Sequence, residues 1–143
     1  MANRYAVATG NWSNPAIWDG GTLPTVGDDV RTNSYTVTID QNIDVASIQN
    51  TALAPAVAGG VFVINASGRT ITADVRSGSA TVLTYNGAFT LTIIGNIIAN
   101  TSGVAVSSNN TGSVLTFIGN VSGGTGFGTH GISTSGALIM TGD

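Results

Sequence analysis

Glycoside hydrolysis needs two carboxyl groups about 5–10 Å apart across a bound sugar. The chain offers seven candidates, all aspartates: Asp19, Asp28, Asp29, Asp40, Asp44, Asp74 and Asp143. Asp28 and Asp29 are adjacent in a turn-like stretch, where aspartate commonly accepts from local backbone N–H groups. Asp40 and Asp74 fall on the polar side of alternating strands, as solubilising or edge-protecting charges do. No spacing argues for a working pair, so no catalytic residue is expected. His130 is the lone histidine and cysteine is absent. That leaves no nucleophile–base set and no zinc ligand group, and His130 reads as a solvent-exposed loop residue. Asp28 and Asp29 lack the spaced acidic loop that calcium sites use. Residues 126–131 spell Gly-x-Gly-x-x-Gly, but Ile132-Ser133-Thr134 follows where a dinucleotide site requires a helix. Triplets such as Asn65-Ala66-Ser67 are expected from composition alone. No cofactor or metal is expected.

The elements that would position any site are legible in a repeat. Leu91-Thr92-Ile93-Ile94-Gly95-Asn96-Ile97 returns as Leu115-Thr116-Phe117-Ile118-Gly119-Asn120-Val121, and a worn copy reads Leu138-Ile139-Met140-Thr141-Gly142-Asp143. The glycines step by about two dozen residues, a solenoid period. Each copy is a short apolar strand closed by Gly-Asn or Gly-Asp, residues that tolerate positive φ and turn the chain sharply. Each coil holds one further short strand, Val104-Ala105-Val106 and then Ile132-Ser133-Thr134. Asn96, Asn120 and Asp143 should stack, either as a hydrogen-bonded ladder or simply as turn residues.

Composition agrees. Only 8% of residues are charged against an ordinary quarter, and neither Glu nor Lys occurs, which removes two good helix formers. Thr, Val, Ile, Gly and Asn favour strands and tight turns. Helix is expected to be confined to a turn or two. The net charge of −3 gives no footprint for nucleic acid. No apolar run approaches the ~18 residues of a membrane span, and the N-terminus lacks an apolar signal core.

Along the chain, residues 1–34 form a distinct cap or anchor segment and 35–143 the solenoid. Both tryptophans, Trp12 and Trp18, lie in the first segment with Pro15 between them, which argues against a continuous helix. They either plug the open end of the apolar core, with Pro24 and Asp28 completing the cap, or form a sugar-stacking platform. Tyr35, Val37 and Ile39 alternate with Thr36, Thr38 and Asp40 as a half-buried strand. Ile43, Val45 and Ile48 continue the lining, and Thr51 to Gly60 reads as a loop. Val61-Phe62-Val63-Ile64 reads as a buried strand, and Ile71, Ala73 and Val75 as an alternating one. The fold class expected is all-β: a short right-handed parallel β-helix with an N-terminal cap. Three to four coils lie from residue 61 onward. The last coil has no cap of its own, so the chain continues beyond Asp143 or a partner covers that end.

Gly10, Trp12, Trp18, Gly20, Pro24, Gly27, Asp28 and Val30 resemble the lead-in of extracellular and phage β-helix proteins, including a glycine-rich domain that precedes β-helices in cell-surface proteins. The resemblance covers a small N-terminal part of the chain and implies a β-helix start without implying an activity. Taken with the uncharged Thr/Asn/Gly surface and the missing signal core, the chain resembles bacteriophage virion-surface β-helix proteins of the decoration or fibre type. That resemblance implies a non-enzymatic structural protein assembled in the host cytoplasm and displayed on the virion surface. It implies a homo-oligomer, most commonly a parallel trimer, bound to other virion proteins, with host-surface glycan as a further partner. A carbohydrate-binding adhesin or polysaccharide-depolymerase fragment is the alternative. Neither nucleic acid nor membrane is expected as a partner.

Overall fold

The computed structural model describes residues 2–65, 67–78, 80–99, 104–108, 110–123, 132–134 and 136–141. It is a parallel β-solenoid built from two sheets. One sheet runs β1 (Asn3–Tyr5), β3 (Asp29–Arg31), β5 (Ile43–Gln49), β7 (Arg69–Arg76), β9 (Thr90–Ile94), β12 (Val114–Ile118) and β15 (Ala137–Thr141). Two short strands, β10 (Ile97–Ala99) and β13 (Val121–Gly123), extend it alongside β7. The second sheet runs β2 (Gly10–Asn11), β4 (Thr36–Thr38), β6 (Val61–Ile64), β8 (Leu83–Tyr85), β11 (Val106–Ser108) and β14 (Ile132–Thr134). The chain visits the two sheets alternately, and every strand-to-strand pairing is parallel. From Val61 onward the described strands form coils β6–β7, β8–β10, β11–β13 and β14–β15, as the repeat predicts.

The core is made of columns of like residues. Val30, Ile48, Val75 and Ile97 stack in register on the first sheet, and Val37, Phe62, Leu83 and Val106 on the second. All eight are essentially buried. Burying one such side chain stabilises by about 1.5–3 kcal/mol, so every coil adds its own increment. The residues between them on the same strands are mostly polar, such as Asp29, Thr36, Thr38, Thr84 and Ser107, with Val61, Val63 and Ile98 as exceptions, and this alternation is why the pattern was readable.

Several details differ from the sequence reading. Residues 1–34 contribute β1, β2 and β3 to the same two sheets, so pairing begins at Asn3. Tyr35 does not line the core: Asn33 and Ser34 take positive φ (51° and 67°), the Tyr35 N–H closes a turn on the Thr32 carbonyl, and the ring is exposed. In β6 only Phe62 and Ile64 are buried, while Val61 and Val63 face outward and are half-buried. The strand expected from Val104 begins at Val106. Ala105 instead forms a buried corner whose carbonyl accepts from both Val82 and Leu83 N–H groups. Val45 and Ile48 both line the core although three positions apart, because a register shift between Asp44 and Ser47 adds a residue to β5, as a β-bulge does.

The Gly-Asn corners interrupt the first sheet rather than end it. Uninterrupted β7 pairs with β9 through Arg69–Thr72 and with β10 through Val75 and Arg76. Gly95, between β9 and β10, sits at φ 148°. A Cβ there would lie 2.2 Å from the Ala73 carbonyl oxygen. Only glycine lets one coil bend that closely over the next.

Candidate functional site

The four residues read from the sequence as a cap, Trp12, Trp18, Pro24 and Asp28, are all buried in the N-terminal part of the chain, with Arg4 and Asp19 beside them. Trp12 and Trp18 are both 1% exposed. Their rings meet edge to face at 4.9 Å, Trp12 also contacts Phe62, and Trp18 Nε1 donates to the Trp12 carbonyl at 2.9 Å. The buried indole N–H is thereby satisfied, as burial of tryptophan requires. With both rings inside the core, neither offers a face to a sugar. Pro24 is buried, and Asp28 Oδ2 accepts from the Thr25 N–H at 2.8 Å, fixing the turn into β3. Arg4 stands in register with Val30, on the core-facing column, where it covers the end of the stack. Its guanidinium donates to the Asp19 carbonyl at 2.7 Å and pairs with the Asp19 carboxylate at 3.2 Å. Asp19 Oδ1 also accepts from the Tyr5 N–H at 3.0 Å, occupying the outer edge of β1. Neither Arg4 nor Asp19 carries a sequence signal for this role.

The remaining described acids join coils together. Asp40 accepts from the Ser13 N–H at 3.0 Å and from the Ser13 hydroxyl, clasping β4 to the first coil. Burial alone would raise the Asp40 pKa. The Ser13 hydroxyl and amide, the residue's own amide and the Arg69 charge outweigh it and hold the carboxyl below its ordinary value. Asp74 Oδ1 accepts from the Asn96 N–H and from Asn96 Nδ2, at 2.9 and 3.1 Å, and Asn96 Oδ1 accepts from the Asn120 N–H at 3.3 Å. An Asp–Asn–Asn ladder therefore runs up the corners beside Gly95 and Gly119 (φ 149°). Asp40 and Asp74, expected as solubilising or edge-protecting charges, are half-buried and accept hydrogen bonds from the neighbouring coil. Asp44 is exposed. Asp143, Gly142, His130 and the glycine motif 126–131 lie outside the described residues. Among the described residues no group of three metal-ligating side chains forms and no pocket is present.

A second set of charged residues was missed by the sequence reading. Asp29-Val30-Arg31 and Asp74-Val75-Arg76 are the same tripeptide, and Ser47-Ile48-Gln49 lies between them. Register stacks all three: Asp29 on Ser47 on Asp74, Val30 on Ile48 on Val75, and Arg31 on Gln49 on Arg76. The middle residues are anchored in the core, and the flanking pairs lie on the other side of the strands, where Ser47, Gln49 and Arg31 are nonetheless buried, Asp29 and Asp74 half-buried, and Arg76 exposed. Tyr5 and Asn3 continue the two polar columns on β1. Ser47 Oγ donates to Asp29 Oδ1 at 2.6 Å and accepts from Gln49 Nε2 at 2.9 Å, and Thr51 Oγ1 donates to Gln49 Oε1 at 2.6 Å. Arg76 pairs with Asp74 at 3.1 Å and is exposed, whereas Arg31 is only 7% exposed. The Arg31 guanidinium donates through Nη1 to Asn3 Oδ1, and its buried Nε has no hydrogen-bond partner among the described residues. Burial lowers the Arg31 pKa, Asp29 opposes that, and the nearby positive charge of Arg76 adds to it. The exact repetition of Asp-Val-Arg in a chain with four arginines was the available signal.

Comparison of the chain with protein-family models, curated proteins and solved structures found no match in any of the three.

Among the described residues no helix is long and apolar enough to cross a membrane.

Proposed function

We propose that this chain is a non-enzymatic structural protein of a bacteriophage particle, displayed on the virion surface as head decoration, fibre or spike. The observation that carries this reading is the use made of the carboxylates. Asp19, Asp28, Asp29, Asp40 and Asp74 all accept hydrogen bonds that fix a turn or join one coil to another. Such acids are committed to holding a stiff rod together. Threonine and asparagine on the outer faces suit a rod that stands in solvent with few charges. Resemblance of the lead-in to phage β-helix proteins supports the same reading.

The functional form in this reading is a homotrimer attached to the particle by its N-terminal end. Ile94, Ile118, Ile139 and Met140 are exposed on the first sheet, and β15 is its outermost described strand on that side. Exposed strand edges recruit neighbours, and a surface with few charges packs against its copies with little ion desolvation. Antibody labelling and low-resolution imaging of intact particles test the assignment. Label at regular surface positions is the expected result, and particles free of the protein would overturn it.

The second reading is a carbohydrate-binding adhesin or a fragment of a polysaccharide depolymerase. The paired Asp-Val-Arg rungs favour it. Release of new sugar ends from capsular polysaccharide by the purified chain would replace the structural reading with this one.

A further inference from the structure

We propose that Asn86 is a modification site: in the folded chain its side-chain amide is lost by attack of the Gly87 backbone nitrogen, leaving aspartate or isoaspartate at position 86. This goes beyond a structural role on the particle and does not depend on it.

Three observations carry the inference. The first is access to the reacting carbon. Asn86 lies between β8 and β9, in a segment that belongs to neither strand, and it is exposed. Among the described residues its side chain makes one hydrogen bond, from Nδ2 to Asn65 Oδ1 at 3.5 Å, which is long for such a bond. The second is the nucleophile. The Gly87 N–H has no hydrogen-bond partner among the described residues, and glycine has no Cβ to crowd the approach. The third is contrast with other asparagines. Asn33 is followed by the small residue Ser34, but its Nδ2 donates to the Ala6 carbonyl and its Oδ1 accepts from the Val57 N–H. The Ser34 N–H is itself bonded to the Gly59 carbonyl. Asn96 is tied to Asp74 and Asn120, and the Ile97 N–H to the Asn120 carbonyl. At both positions the amide and the nitrogen that would attack it are held apart by the fold. Asn86 is held through its own backbone N–H, on the Ile64 carbonyl at 2.9 Å, which leaves its side chain free to turn toward Gly87.

The reaction needs only water and base. The Gly87 nitrogen gives up its proton and bonds to Asn86 Cγ, and the amide nitrogen leaves as ammonia. Water then opens the five-membered imide. Opening at the side-chain carbonyl gives aspartate, and opening at the backbone carbonyl gives isoaspartate, through whose side chain the backbone then runs. One amide and one water become one carboxylic acid and one ammonia, with no change of oxidation state. Either product adds a negative charge to a chain whose net charge is −3. Isoaspartate also lengthens the corner by one backbone carbon, beside the packing of Phe89 on Tyr85, whose ring centroids are 6.3 Å apart. A Cβ on Gly87 would run into the Phe89 ring. Packing thus requires glycine at this corner and places it directly after an exposed asparagine, a residue type prone to thermal damage.

The test incubates the full chain at mildly alkaline pH, folded and in urea. Intact mass, isoaspartate methyltransferase labelling and fragmentation of the tryptic peptides follow the product and its position. In the folded protein, conversion at Asn86 is expected at least tenfold faster than at any other asparagine, and faster still as pH rises and base removes the Gly87 amide proton. Urea should speed conversion at Asn33, which the fold protects, and leave the rate at Asn86 within about threefold. Asn86→Gln, whose longer side chain would have to close a six-membered ring, should keep the dichroism spectrum and lose the early product. A folded chain in which Asn86 stays intact while the chain in urea converts would overturn the proposal. So would conversion at another asparagine as fast as at Asn86 in the folded protein, a rate indifferent to pH, or an Asn86→Gln protein that accumulates the same early product.

Discussion

Gly119 lies directly over Gly95: a Cβ built on Gly119 would come within 1.8 Å of the Gly95 carbonyl oxygen. The two glycines are 24 residues apart in the chain and one coil apart in space. Their contact sets how closely successive corners stack. Gly119→Ala should therefore destabilise by more than about 1 kcal/mol, since both the positive φ and the contact oppose it. Gly20→Ala also meets a positive φ, but nothing lies within 4 Å of its Cβ, so it should cost less. Denaturant melts of the two variants check the order, and equal losses would show that the stacking contact is unimportant.

Trp12 and Trp18 form one buried unit with Phe62. Replacing either with alanine should cost about 3–5 kcal/mol, the range for a large aromatic removed from a core. Trp18→Phe keeps much of the volume but leaves the Trp12 carbonyl without its indole donor. It should cost about 1–3 kcal/mol, as an unsatisfied buried acceptor does. Chemical denaturation reads both, and losses below about 1 kcal/mol for both alanine variants would contradict the burial.

The clasp between Asp40 and Ser13 predicts a pH dependence. Because the folded Asp40 pKa lies below its ordinary value, the group binds protons more readily when unfolded. Its contribution is fully present above the unfolded value of about 3.9 and is lost as pH falls through the lower folded value. Asp40→Asn should flatten the acid limb of the stability curve in that window and leave the neutral region with a small, pH-independent loss. An acid limb identical in both proteins would show that Asp40 does not contribute to it.

Asn96 links two coils at once, to Asp74 below and Asn120 above. Asn96→Ala removes its side-chain bonds to both, and each is worth about 0.5–1.5 kcal/mol at most. Hydrogen exchange should speed at the Asn120 amide, which loses its acceptor. Unchanged protection there would mean that the ladder is incidental.

The sequence by itself determined the class of fold and the direction of most side chains. Period-two alternation in Ile71, Ala73 and Val75 separates an inward from an outward set on any β-strand. The Leu91 and Leu115 repeats fix the coil length because each coil must return to the same register. What only the tertiary structure decided is which distant residues share a face. Asp29 and Asp74 meet Ser47 through sheet register, and that register depends on loop lengths and on the bulge in β5, which no local pattern encodes. The same holds for Arg4, which covers the Val30 column only because β1 pairs with β3, and for Tyr35, turned away from the core by the two residues before it. Side-chain type and alternation are local properties, whereas neighbours across coils are set by how the whole chain winds.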